Sequence, residues 1–283
     1  MAGWLERVRA WYDREPELEW RRLEGRVQYR IEHLVTMHAL ARHLPPPGDA
    51  VRLLDAGGGP GRYTVALAAR GYTMTLLDLS PGNVALARRK VAAAGPAVAR
   101  RVEECIEGTF TDLSSFADGR FDAVLCLGAA FSHLIDPSAR RRALAELQRV
   151  ARPGAPLFVS ALNRIASYRG VVQWPHTWEE GFPAGLASFA ATGYSDAGDW
   201  PSYAFMPEEL VALIEGAGLE PLVLYGAQGI AAHLPSEGLA SLMADPQRWP
   251  IWRELLLATC DHPTVVGVST HLLAVARAHP RQG

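Results

Sequence analysis

The sequence predicts an α/β protein: a doubly wound, mostly parallel sheet with helices on both faces. Three observations carry this expectation. Leu53 to Tyr63 reads as an apolar strand ending at Asp55, then a glycine turn, then a helix. Twenty-three residues after Asp55, a second apolar run from Thr73 ends in Asp78. Strand-like and helix-like stretches then alternate to residue 162, and that alternation implies parallel strands joined by crossover helices.

Residues 4–44 read as amphipathic helix, with Trp4, Leu5, Val8, Trp11 and Tyr12 at a 3–4 spacing. Pro45-Pro46-Pro47-Gly48 ends that region. The division expected is an N-terminal helical cap, 1–48, and an α/β domain, 49–283. Strand 1 is Val51 to Asp55, and a helix follows from about Gly61 to Arg70, with Gly71 placed to cap it. Strand 2 is Thr73 to Asp78. Ser80-Pro81 starts the next helix with a polar cap and a proline in the first turn, and Gly95-Pro96 stops it. A third strand is expected within Val98 to Ile106. Phe121 to Leu127 suits a central parallel strand. Ser138 to Ala151 is helical, and Leu157 to Leu162 is the next strand.

Residues 163–206 break the rhythm with many aromatic residues, glycines and prolines. Long insertions of this kind are often lids, so 163–206 is expected to be an inserted aromatic lid. Regularity resumes with a helix at Pro207 to Ala217 and a strand at Leu219 to Tyr225. Ser236 to Cys260 reads as helix interrupted near Pro246 and Pro250, and His271 to Ala276 as a last strand.

Composition narrows the function. Of 283 residues, 49% are apolar and 20% charged, as in a globular protein. The net charge of −2 gives no basic face for nucleic acid or an anionic membrane. No apolar run is long enough to span a bilayer, and Met1 to Ala10 lacks a signal-peptide core. Cys105, Cys126 and Cys260 are scattered, which suits a reducing, cytoplasmic compartment. No metal-ligand spacing occurs. Nothing in the pattern indicates a homodimer.

Glycine spacing points to the ligand. Gly57, Gly59 and Gly61 make G-x-G-x-G, whereas a dinucleotide fingerprint needs its third glycine where Arg62 stands. This string, with Asp55 before it and Asp78 after it, resembles the binding motif of the class I S-adenosylmethionine-dependent methyltransferases. The resemblance runs over residues 50–162, through Phe121–Gly128 and Arg149–Gly154, and the N-terminal helices, Tyr12 to Leu23 especially, with the tail, resemble a bacterial small-molecule subgroup. It implies a Rossmann-like, seven-stranded sheet. It also implies S-adenosylmethionine as cofactor, S-adenosylhomocysteine as product, and no metal.

Asp55, Gly57, Gly59, Gly61 and Asp78 all fall at the carboxyl edge of the expected sheet, where such folds bind ligands. Asp78 can accept hydrogen bonds from both ribose hydroxyls, and Leu79 can cover the adenine. Asp78 can also be read as a turn acid before Ser80-Pro81. The family's acid after strand 3 is replaced by Thr109, which still accepts a hydrogen bond, and Phe110 can pack on the ring. Asp112 is the alternative acid. Backbone at Leu127 and Gly128 borders the methionine portion.

Methyl transfer asks the protein to hold acceptor and donor in line. A hydroxyl acceptor benefits from a base, and histidine is the common choice. His133, five residues beyond Gly128, is the leading candidate, against a structural histidine before Leu134–Pro137. His176 is a second candidate. Aromatic residues for the acceptor are Tyr168, Trp174, Trp178 and Tyr203 in the insertion, with Tyr12 and Trp20 from the N-terminal side. The expected reaction is methylation of an oxygen or nitrogen on a natural product or other metabolite. The rival readings are a cofactor-binding accessory protein without transfer, a nicotinamide-dependent oxidoreductase and, more remotely, aminopropyl transfer.

Overall fold

Helices come first and divide their work. In the computed structural model, which describes residues 3–173, 182–195 and 200–278, they are α1 (Gly3–Arg14), α2 (Pro16–Gly25) and α3 (Val27–His43). α3 buries Ile31, Val35 and Leu40 against the sheet, while α1 and α2 lie over its edge near α5.

The chain then runs β1 (Arg52–Ala56), α4 (Arg62–Ala68), β2 (Thr73–Asp78), α5 (Pro81–Ala93), α6 (Pro96–Ala99), β3 (Val102–Glu107), β4 (Ala123–Cys126), α7 (Pro137–Val150) and β5 (Pro156–Asn163). After it come α8 (Arg164–Gln173), α9 (Phe182–Thr192), β6 (Tyr194–Ser195), β7 (Ser202–Phe205), α10 (Pro207–Gly216) and β8 (Leu219–Gly226). The last elements are α11 (Ser236–Ala244), α12 (Arg248–Thr259), α13 (Pro263–Val268) and β9 (His271–Ala278).

The main sheet has the order β3-β2-β1-β4-β5-β9-β8. β1 to β5 run parallel to one another, and β9 is antiparallel to both β5 and β8. The sheet is doubly wound and mostly parallel, as expected. To its seven strands the described residues add the short hairpin β6–β7, whose β7 pairs with Leu162 and Asn163 of β5. β9 occupies one edge of β5, and β4 stops at Val159 on the other, so the end of β5 is free for β7.

Successive side chains point to opposite faces, so each strand feeds two cores. Leu54, Val124 and Val159 pack with Ala143 and Leu147 of α7 and Leu210 of α10. Leu53, Leu125 and Phe158 pack with Val35 of α3, Leu67 of α4 and Leu256 of α12. Each fully buried Leu or Phe contributes about 1.5–3 kcal/mol.

Two local expectations need correction. The third strand starts later, at Val102, because Gly95-Pro96 opens the short α6. β3 is an edge strand with exposed Glu103 and Glu104, so its hydrophobic alternation is weak. Pro250 does not interrupt a helix. It sits in the first turn of α12, where its missing N–H is no loss. The predicted Ser80 cap is present: its Oγ accepts from the Asn83 N–H at 3.0 Å.

Candidate active site

Strand order reverses between β1 and β4, and a crevice opens there at the carboxyl ends of the strands. The cleft encloses about 940 Å³, counting its open mouth. The glycine loop forms its floor. Gly57 has φ of +75°, and a Cβ there would meet the Ala130 Cβ at 2.9 Å and Phe110 at 3.2 Å, so only glycine fits. The Gly57 N–H donates to the Leu77 carbonyl at 2.7 Å, tying the loop to the end of β2. Gly58 carried no separate signal in the sequence, yet a Cβ on it would lie 2.7 Å from the Asp55 carboxyl carbon.

Asp55 is fully buried beneath this loop. Its Oδ2 accepts from Thr64 Oγ1 at 2.6 Å, while Oδ1 has no partner. Burial, helped by the negative charge of Asp78, pushes its pKa up to about 6. Asp78 holds the loop: Oδ2 accepts from the Gly59 N–H at 2.8 Å, and Oδ1 from the Ser80 N–H at 2.9 Å and Asn83 Nδ2 at 3.2 Å. Burial raises the Asp78 pKa against the opposing pull of those donors. A carboxylate only accepts, so Nδ2 is fixed as the atom facing Asp78, and Asn83 Oδ1 is left buried without a partner.

Leu79, Thr109, Phe110, Leu127 and Gly128 all line the cleft. Thr109 Oγ1 lies 2.9 Å from Thr111 Oγ1 and accepts from the Thr111 N–H at 3.2 Å. Gly61 lies behind the loop as the left-handed N-cap of α4, against Leu76 and Ala87. Asp112 is not among the lining residues; its Oδ1 accepts from the Ser114 N–H at 3.1 Å.

The cover comes from the N-terminal helices. Trp4, Leu5, Val8, Arg9 and Tyr12 of α1 line the cleft, as do Glu19, Arg22 and Leu23 of α2. Asp13 latches α1 onto the start of α5, accepting from Ser80 Oγ and from the Gly82 N–H at 3.0 Å. Arg9 pairs with Glu107 at 3.0 Å.

His133 lines the same cleft and is 6% exposed. Its Nδ1 lies 3.0 Å from the Pro201 carbonyl, which can only accept, so Nδ1 carries the proton. Nε2 then accepts from the Tyr12 hydroxyl at 2.9 Å, and that hydroxyl accepts from Trp200 Nε1 at 3.3 Å. Burial pushes the His133 pKa down to about 4, so the ring is neutral at neutral pH. Burial likewise raises the Tyr12 pKa.

Sequence reasoning missed the ionic group beside Gly128. Arg22 Nε donates to Glu19 Oε1 at 2.8 Å, and Nη1 lies 3.5 Å from Oε1 of Glu32 on α3. A Cβ on Gly128 would be 3.2 Å from Arg22 Nη2, so the guanidinium sits against the end of β4. Glu32 is 2% exposed, and His271 Nδ1 approaches its Oε1 at 3.0 Å. Burial pushes the Glu32 pKa up, but His271 and Arg22 outweigh it and hold it at about 2.

The aromatic residues expected around the acceptor are dispersed. Tyr12 lines the cleft, but Trp20, Tyr168 and Tyr203 do not. Trp20 lies between Arg62 and Lys90, at 4.4 and 4.8 Å from its ring. Tyr168 packs on Phe189 between α8 and α9. Tyr203 lies under the Arg140 guanidinium at 3.5 Å, and its hydroxyl bonds Glu209. Each of these rings answers a local cation or hydrogen-bond partner that composition does not reveal. His176, Trp174 and Trp178 fall outside the described residues. None of the described residues of 163–206 lines the cleft, and the segment reaches His133 and Tyr12 through Trp200 and Pro201. Among the described residues, no three His, Cys, Asp or Glu side chains are placed to hold a metal, and no helix is long and apolar enough to cross a membrane.

Residues 53–154 match the family model of a methyltransferase domain. That segment is a methyltransferase domain, and the sheet around it has the fold of S-adenosylmethionine-dependent methyltransferases. It is 36% identical over 130 residues to the ubiquinone biosynthesis O-methyltransferase of Xanthomonas axonopodis pv. citri, a match covering 46% of this chain and 50% of the relative. The chain thus spans about half the length of the curated relatives it matches. Among solved structures it resembles a Methanosarcina mazei S-adenosylmethionine-dependent methyltransferase, with TM-score 0.54, 16% identity, and 86% and 98% of the two chains covered. It also resembles the [4+2]-cyclase SpnF, with TM-score 0.53, 22% identity, and 88% and 82% covered. Both likenesses concern the fold. In this domain β1, the glycine loop and the ends of β2 and β4 supply the floor of the cleft.

Proposed function

We propose that the protein transfers a methyl group from S-adenosylmethionine to an oxygen or nitrogen of a small molecule. One observation carries the reading. Asp55 lies fully buried under a loop that only glycine can form, with Oδ1 lacking any donor. A buried carboxylate oxygen without a partner is costly. The α-ammonium group of the methyl donor would supply both the missing hydrogen bond and the opposing charge.

The other residues fit the rest of that molecule. Arg22, against Gly128, suits the amino-acid carboxylate. An ionised carboxylate has about four acceptor sites, and Asp78 already takes three protein donors. It keeps one site for a ribose hydroxyl, and the unpartnered Asn83 Oδ1 suits the second. Leu79, Thr109 and Phe110 suit the adenine end. Arg62, over Trp20 and paired with Glu24 at 2.6 Å, occupies the position where a dinucleotide site needs glycine.

When bound, S-adenosylmethionine supplies a methyl group on a sulfonium centre. The chain's own task is to orient the acceptor and exclude water. Trp4, Leu5, Val8 and Leu134 give the outer cleft an apolar wall suited to an apolar small molecule. His133 Nε2 accepts from the Tyr12 hydroxyl, and we assign this pair to take the proton of a hydroxyl acceptor, Tyr12 passing its own proton to Nε2 as it accepts the new one. The likeness to relatives named ubiquinone biosynthesis O-methyltransferase supports oxygen as the acceptor atom.

A binder without transfer is the second reading, favoured by both ring nitrogens of His133 being engaged. The fold leaves it open, since a [4+2]-cyclase shares that fold. The test is release of S-adenosylhomocysteine from S-adenosylmethionine across a panel of apolar phenols and amines. Acceptor-dependent release supports transfer. Tight binding of S-adenosylhomocysteine without release for any panel member supports the binder.

A further inference from the structure

Arg22 is a long side chain at the rim of a cleft, on a ten-residue helix. Such a group samples many rotamers unless something behind it holds it. Here something does. Glu32, on the next helix, is almost wholly buried and points Oε1 at Arg22 Nη1 from 3.5 Å. His271, the first residue of β9, approaches the same oxygen at 3.0 Å. The second oxygen, Oε2, has no partner. Glu32 does not line the cleft, so it cannot meet a ligand there itself.

A purely structural link between α3 and β9 needs no charge, since apolar packing there would serve as well or better. A buried anion behind a guanidinium does something apolar packing cannot. It fixes the cation in one place and leaves its outer edge, Nη2, beside Gly128 for a ligand. Preorganised groups lose less freedom when they bind.

We propose that Glu32, backed by His271, is a positioning residue that aims Arg22 at the amino-acid carboxylate of the methyl donor. This rests on the cofactor reading above. The α2–α3 pair thereby becomes part of the binding site, through a buried chain of polar side chains from the cleft to β9.

The experiment is calorimetric titration of the full chain, wild type and Glu32→Gln, with S-adenosylhomocysteine and with 5′-methylthioadenosine, which lacks the amino-acid portion. The expected result is a loss of about tenfold or more in S-adenosylhomocysteine affinity. Binding of 5′-methylthioadenosine should be unchanged, and it doubles as a check that the variant is folded. Glu32→Asp should recover part of the loss, and His271→Gln should show a smaller loss of the same selective kind. Equal losses for both nucleosides would overturn the proposal, as would no loss for either. If Arg22→Ala loses S-adenosylhomocysteine selectively but Glu32→Gln does not, this proposal alone falls. If the wild type binds neither nucleoside, the cofactor reading falls and takes this one with it.

Discussion

The floor and the cover of the cleft are held together differently. On the floor, bonds join residues near in sequence or on adjacent strand ends: the Gly59 N–H to Asp78, the Ser80 N–H to Asp78, the Gly57 N–H to Leu77. In the cover, single side chains reach across the chain: Tyr12 to His133, Trp200 to Tyr12, Asp13 to Gly82. A floor made of backbone leaves no room for a Cβ at Gly57 or Gly58. A cover made of separate side-chain contacts can lose one and keep its shape. The floor should therefore govern whether the nucleoside part of the cofactor binds, and the cover how its amino-acid end is held, what happens to the acceptor and how fast ligands leave.

The largest expected effect tests that division from the cover. His133→Ala should lower turnover of a hydroxyl acceptor by roughly a hundredfold to ten-thousandfold, the range for a lost general base. Affinity for S-adenosylhomocysteine should change little. Steady-state kinetics beside calorimetry reads both, and unchanged turnover at saturating acceptor would remove His133 from the chemistry.

Gly57→Ala attacks the floor. The new Cβ meets Ala130 at 2.9 Å on a backbone with φ of +75°. Cofactor affinity should fall roughly a hundredfold, from strain of about 1–3 kcal/mol plus the clash. Retention of wild-type affinity would mean that the loop is not the binding floor.

Asp55 adds a pH signature. Its pKa is raised from 3.8 to about 6, so the folded protein holds a proton that the unfolded chain has released. Stability from this group therefore falls as pH rises through that window, and above it the ionised acid costs roughly 3 kcal/mol. Asp55→Asn should melt higher than wild type at pH 7.5 and close to it at pH 4, by scanning calorimetry without ligand. In the wild type, S-adenosylhomocysteine affinity should drop as pH falls below about 6, because a ligand ammonium needs the ionised carboxylate. A flat affinity profile across that range would separate Asp55 from the ligand.

The smallest effect should come from the latch. Asp13→Ala removes one acceptor at the start of α5. It should raise the dissociation rate of S-adenosylhomocysteine roughly five- to thirtyfold, on the scale of about 1 kcal/mol for each of the two hydrogen bonds lost. Stopped-flow measurement of dissociation checks it. A loss as large as that from Gly57→Ala would show that floor and cover are not separable.

What could be read from the sequence follows the same line. The glycine loop, Asp55, Asp78, the Ser80 cap and the parallel strands around them depend on contacts within a few residues or between neighbouring strands. Local pattern therefore exposes them. Arg22, Glu19 and Glu32 did not stand out, because charged residues on helices usually face water, and their meeting point is set by how α2 and α3 pack. The one available signal was Glu19 three residues before Arg22. Aromatic content marked 163–206 as unusual, but it does not say which way a ring points. Tyr203 went to Arg140 and Trp20 to Arg62 and Lys90. His133 was legible because it follows a strand end at the crevice. Its partners, Tyr12 and Pro201, were not, since they lie 121 and 68 residues away.

The most direct measurement is calorimetric titration of the full chain with S-adenosylhomocysteine, with NAD in parallel. The account predicts one site with micromolar affinity for S-adenosylhomocysteine and no heat of binding with NAD. Binding of NAD, or of neither ligand, would contradict it.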